Sequence, residues 1–128
     1  MAKELLLTID VECKPAYRVS GQIRDIVMIP FTGRASGEKF NGTIAEGGVD
    51  TQKMGKGEEA FLSARYLLRG KDCAGNDCQV FVENEGRFSE GFRPTIVTDT
   101  PVLADWETAV LSAEVKPIPG GVQVSIFR

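Results

Sequence analysis

An acid, a hydroxyl and an amide follow two glycines in the stretch Gly47-Gly48-Val49-Asp50-Thr51-Gln52. Adjacent glycines let a backbone bend sharply or approach another group closely. A carboxylate just beyond such a bend can take a proton or hold a ligand hydroxyl, so Asp50 heads the candidate site, with Gly48 and Gln52 beside it. The competing reading makes Asp50 a loop anchor that accepts nearby backbone N–H groups, which is ordinary turn chemistry.

Other chemistry-bearing groups are few. Arg65 and Tyr66 are neighbours, so in a regular strand only one of them points inward. The inward one is either a ligand contact or part of a polar network in the core. A packed Tyr with a solvated Arg is the plainer alternative. Arg24-Asp25 and Glu83-Asn84-Glu85 interrupt apolar runs. They read first as edge protection or surface pairs, and second as polar groups converging at a pocket mouth. Cys73 and Cys78 flank a turn and could bridge in an oxidising setting; in a reducing compartment free thiols are expected for both.

The chain has no histidine. Ser-His-Asp and Cys-His nucleophilic pairs are therefore absent, and so is the commonest general base near neutral pH. Without imidazole, and with Cys13 distant from the other two cysteines, no metal site is expected. Gly33-Arg34-Ala35-Ser36-Gly37 lacks the Gly-Lys-Ser/Thr ending of a phosphate loop, and no cofactor is expected. Acid–base work, if any, falls to Asp, Glu, Lys, Tyr or Cys.

Short strands must carry these groups. Period-two alternation predicts strands at about Lys3–Cys13 and Glu58–Arg69, the latter with a helix as the alternative on its Ala and Leu content. A run apolar on both faces predicts one at about Gln22–Phe31, and another follows a turn at about Glu38–Ala45. Further strands are predicted at about Cys78–Glu83, Gly91–Thr98, Val110–Pro117 and Val122–Phe127. Lys14-Pro15-Ala16 ends the first, Thr32 to Gly37 reads as a turn, and the charged run Lys53 to Glu59 reads as a mobile loop. Gly42 marks a bulge or tight bend, and Pro94 puts its strand at an edge or a bulge. Thr100, Pro101 and Trp106 predict a helix of one or two turns that folds back on the core. Ile118-Pro119-Gly120-Gly121 is a hairpin signal. Eight such strands predict an all-β fold, a closed antiparallel eight-stranded barrel, with a β-sandwich as the alternative.

With 128 residues, the chain is expected to form a single β-barrel domain, residues 1–128. A net charge of −3 with scattered basic residues argues against nucleic acid as a partner. The stretch Met1 to Leu7 lacks a signal core, and no apolar run is long enough to span a bilayer as a helix. A cytoplasmic protein with no membrane partner is expected.

Ile29-Pro30-Phe31-Thr32-Gly33, Phe40-Asn41-Gly42, Gly47-Gly48-Val49-Asp50 and Ala64-Arg65-Tyr66 occur in this order, followed by Phe81 to Gly86 and Gly120-Gly121-Val122. Together they resemble the family catalogued as domain of unknown function 3237, over nearly the whole chain. The resemblance implies a small closed barrel, similar to calycin-like or allene-oxide-cyclase-like barrels, and a homo-oligomer. It brings no reaction with it. Many relatives carry Trp after the motif's Asp where this chain has Thr51, which implies a missing aromatic pocket wall.

Three functions follow as expectations. The first is a barrel that binds a small-molecule ligand through Arg24, Gly48, Asp50, Gln52, Arg65, Tyr66 and Asn84. The second is a cofactor-free acid–base enzyme for isomerisation, cyclisation or lactone chemistry. In it Asp50 or Glu85 takes the proton, and Tyr66 or Arg65 steadies an oxyanion. The third is a filled barrel acting as a structural or oligomerisation module.

Overall fold

The computed structural model describes residues 3–128; Met1 and Ala2, part of the stretch read for a signal core, lie outside them. In chain order the strands are β1 (Leu5–Cys13), β2 (Tyr17–Ser20), β3 (Arg24–Ser36), β4 (Phe40–Ile44) and β5 (Val49–Gly55). They are followed by β6 (Phe61–Asp72), β7 (Asp77–Arg87), β8 (Gly91–Thr98), β9 (Ser112–Ile118) and β10 (Gly121–Phe127). A 3-10 helix, Pro101–Glu107, joins β8 to β9. Among the described residues no helix is long and apolar enough to cross a membrane.

All pairings are antiparallel, and β1 closes the ring by pairing with β10 on one side and β3 on the other. That double pairing makes the fold a barrel and rules out the sandwich. Ten strands build an eight-stranded barrel because two ring positions are each continued by a second strand. Both β4 and β5 lie between β3 and β6, end to end, so they are one strand interrupted at residues 45–48. Backbone bonds from Ala45 N–H to Leu67 O and from Phe31 N–H to Gly48 O pin the interruption on both sides. Gly47, at φ +104°, turns the chain there in a conformation L side chains resist. Similarly, β2 continues the line of β1 along β3 beyond the Lys14–Ala16 break.

Three assignments made from sequence change. Residues 32–36, read as a turn, extend β3 and pair with Glu12 to Thr8 of β1. Gly33 permits this, since a Cβ there would strike the Asp10 carbonyl oxygen. The supposed mobile run begins three residues late, because Lys53, Met54 and Gly55 belong to β5. Tyr17–Ser20, assigned to no strand from sequence, is β2 and fully exposed along its length. The alternation test missed β5 because neither of its faces is apolar, and β2 because Tyr17 and Val19 are too short a run to stand out. Pro94 lies in β8, which pairs with β7 throughout but with β9 only at Phe92 and Ala113.

One end of the barrel is packed solid. Leu7, Phe40, Leu68, Val80 and Ile126 are fully buried there with Leu103 and Trp106 of the 3-10 helix. Thr100 caps that helix, accepting from Val102 N–H at 3.3 Å, while its own hydroxyl donates to Asp72 Oδ2 at 2.7 Å. Asp72 also accepts from the backbone N–H groups of Ala74 and Asn76, at 2.9 and 3.1 Å. The Thr100 bond, more than any other, holds the Asp72 carboxyl below its ordinary 3.8. A depressed folded pKa supplies stability above the unfolded value and loses it as pH falls through the folded one. Asp72→Asn is therefore expected to lower the melting temperature at pH 7, by an amount that shrinks as pH falls below 3.8. Paired thermal melts from pH 7 to pH 2 test this; a constant gap would remove the charge from the account.

Candidate functional site

The other end of the barrel holds a cavity of about 160 Å³. Its walls are mostly apolar: Ile29 and Phe31 of β3, Leu62 and Ala64 of β6, and Val122 and Val124 of β10. Phe92 of β8 lies at the wall with Phe88 edge-on against it, ring centroids 5.1 Å apart. Phe88 is largely exposed and stands at the mouth.

Strand parity puts a small polar set into this apolar space. In β5, Val49, Thr51 and Lys53 face an outer groove, so Asp50 and Gln52 face inward. In β6, Ala64, Tyr66 and Leu68 point in while Arg65 points out. In β7, Val80, Val82 and Asn84 share the inner face. The register aligns Ile29, Asp50, Ala64, Asn84 and Pro94 as one row across five strands. Asp50 and Asn84 thus flank Ala64, with their strands about 10 Å apart at the usual inter-strand spacing. The small Ala64 side chain leaves the space between them open.

These polar groups are incompletely paired. Gln52 Nε2 donates to Asp50 Oδ2 at 2.9 Å, whereas Asp50 Oδ1 is buried with no partner among the described residues. The Tyr66 hydroxyl and Asn84 Oδ1 are likewise buried and unpartnered, in residues 4% and 6% exposed. An unsatisfied buried polar atom costs about 1–3 kcal/mol. Three around one apolar cavity is the pattern of a site that takes its partners from a ligand. Burial raises the Asp50 carboxyl above its ordinary 3.8, against a smaller opposing pull from the Gln52 bond. Burial also raises the Tyr66 phenol, whose ring sits edge-on to Phe31 at 5.4 Å. The Cys13 thiol, also at the wall, is raised by burial first and by the Asp50 charge second. Among the described residues no Lys or Arg lines the cavity, and Asp50 is its one carboxylate.

Of the residues singled out from sequence, Asp50, Gln52, Tyr66 and Asn84 meet at the cavity; the others do not. Arg65 lies outside, its Nε 2.6 Å from a Glu83 carboxylate oxygen. Glu85 shares that outer face and accepts from Ser63 Oγ at 2.9 Å. Both were displaced by parity, since each neighbours an inward residue in sequence. Arg24 is exposed, opposite Gly55 at the far end of β5. Gly48 stands behind the wall, where a Cβ would press on Phe31 and Ile44 at 3.1 Å. Thr51 faces outward, so the residue after Asp50 is no part of the cavity wall and its departure from the family pattern removes no aromatic there. Cys73 is exposed and Cys78, opposite Gly70, is buried, both as free thiols. The sequence reading missed Cys13, Phe88 and Phe92. The parity of Val80, Val82 and Asn84 was the available signal for Asn84 facing inward.

Comparison with known proteins gives a consistent picture. The sequence model of a family described as proteins of unknown function (DUF3237) matches residues 1–95, a stretch that includes every polar cavity residue. A UPF0311 protein of Clostridium acetobutylicum is 38% identical over 60 residues, which is 46% of this chain and 35% of that protein. The chain thus matches about a third of that relative's length. A crystal structure of a protein of unknown function from the same organism superposes with a TM-score of 0.86 at 22% identity, covering 99% of this chain and 98% of that one. A β-barrel-like protein from Acinetobacter baumannii gives 0.81 at 16% identity, covering 98% and 94%. A protein described as an enzyme, from Penicillium herquei, gives 0.77 at 14% identity, covering 99% and 94%. At these identities the likeness is one of fold.

Proposed function

From the premise that this chain belongs to the DUF3237 family of proteins of unknown function, we propose that it is a small-molecule-binding β-barrel whose ligand occupies the cavity at Asp50, Tyr66 and Asn84. One observation carries the reading: three polar residues lining a space otherwise walled mostly by apolar side chains each hold a buried, unpartnered polar atom. A filled structural barrel would have no use for them, since each costs stability while it stays unpaired.

The test is binding and melting of the wild type against Asp50→Asn. A hydrogen bond to a charged group is worth about 1.5–3 kcal/mol, so the variant is expected to bind roughly ten- to a hundredfold more weakly. Stability should move the other way. A raised folded pKa gives stability that is full below the unfolded value, 3.8, and is lost as pH rises through the folded value. Asn carries no such loss. Asp50→Asn is therefore expected to melt above the wild type at pH 7 and to lose that advantage toward pH 3.8. A variant that melts below the wild type at pH 7 would make Asp50 a structural anchor.

A second reading, catalysis in the same cavity, is favoured by Asp50 alone. A desolvated carboxylate oriented by Gln52, in a cavity also lined by the Tyr66 phenol, suits cofactor-free proton transfer. Glu85, on the outer face, has no part in it.

A further inference from the structure

We infer that the ligand is a neutral, single-ring molecule carrying at least two hydroxyl-type hydrogen-bond donors, of the dihydric-phenol kind. The inference rests on the reading of the cavity as the ligand site and adds the chemical class. Size sets the first limit. An apolar cavity of roughly 150 Å³ accommodates one benzene ring, and the volume here is about 160 Å³. Phe31 and Phe92 supply aromatic faces and edges for such a ring, with Leu62 and Val122 beside them.

Charge sets the second limit. Asp50 is the cavity's one carboxylate, and no Lys or Arg among the described residues offsets it. A carboxylate or phosphate ligand would place a second negative charge against it in a low-dielectric wall. Anions are thereby disfavoured.

Hydrogen-bond inventory sets the third. Asp50 Oδ1 and Asn84 Oδ1 are acceptors, on opposite sides of Ala64; the Tyr66 hydroxyl can donate or accept. Satisfying all three, the Tyr66 proton included, takes a ligand with two donors and one acceptor. Two ring hydroxyls supply both donors, and either hydroxyl oxygen accepts from Tyr66. A single hydroxyl has one proton and leaves an acceptor unpaired. An ammonium group can donate to all three oxygens but accepts nothing, so it leaves the Tyr66 proton unpaired.

Five probes test the class on the intact chain by calorimetry at neutral pH: toluene, phenol, resorcinol, benzoate and benzylamine. Resorcinol is expected to bind at least about tenfold more tightly than toluene, with phenol between them, and benzoate at least about tenfold more weakly than phenol. Asn84→Leu and the near-isosteric Tyr66→Phe should each erase most of the resorcinol advantage over toluene, with thermal melts showing that both variants remain folded. Equal binding of toluene, phenol and resorcinol would overturn the class while leaving the cavity as a ligand site. Tightest binding by benzoate or benzylamine would overturn it in favour of a charged ligand. If none of the five binds, the cavity is not the site, and the inference falls with that reading.

Discussion

Replacing Trp106 with alanine is expected to cost the barrel about 3–5 kcal/mol. Trp106 is 1% exposed and is the largest fully buried side chain, carried into the packed end by the 3-10 helix. A domain is stable by only about 5–15 kcal/mol, so the variant would keep a small margin or none. Its indole N–H has no partner among the described residues, so Trp106→Phe, which removes that donor and keeps most of the apolar bulk, should cost distinctly less. Urea unfolding of the three proteins measures both steps. A loss below about 1 kcal/mol for the alanine variant would mean that the helix is not holding that end. Trp106 does not line the cavity, so ligand affinity measured where the variant is folded should not change.

Ala64→Phe is the converse case, with little effect on stability and a large one on binding. Ala64 lies between Asp50 and Asn84 in the row of paired residues, and its side chain opens onto the cavity. A phenyl group there would occupy the space a ligand ring needs. Binding is expected to fall by about a hundredfold or more, since steric overlap costs ~1–3 kcal/mol and the ligand's own burial is lost as well. Overpacking normally destabilises, but here the added ring enters existing space and covers apolar wall. The melting temperature should hold or rise. Calorimetric titration beside a thermal melt separates the two effects, and undiminished affinity would place the ligand somewhere other than this cavity.

The fold could be read where strands have one apolar face. Leu5, Leu7, Ile9 and Val11 announce β1, and Pro119-Gly120 announces the last hairpin. It was obscure where that rule fails for a physical reason. The inner face of β5 carries Asp50 and Gln52, so the strand that furnishes the site looks like a loop. Polar inward residues erase the very alternation that would reveal them. The site was partly legible for the same cause. Asp50, Tyr66 and Asn84 stood out as odd residues, but Tyr66 and Asn84 had charged neighbours of equal appeal, in Arg65, Glu83 and Glu85. Only the register decides between them. Tyr66 pairs with Val82 on the inner face, while Arg65 pairs with Glu83 outside. Phe88 and Phe92 were overlooked although Phe92, Pro94 and Ile96 alternate inward along β8 and the local β7–β8 turn sets Phe88 against Phe92.

Ring closure also sets an order of events during synthesis. One edge of β1 meets β3 early, since Cys13 and Phe31 are close in sequence. The other edge must wait for β10, where Val11 finds Val122. Roughly 110 residues separate those two, which a ribosome takes about 5–20 s to add. Barrels rich in distant pairings close in milliseconds to seconds. The nascent chain therefore holds an unpaired edge at Leu5–Leu7 for longer than closure itself takes, and an edge in that condition invites pairing with a neighbouring chain. Yield in the cell should depend on how fast the last strand is delivered more than on how stable the finished barrel is.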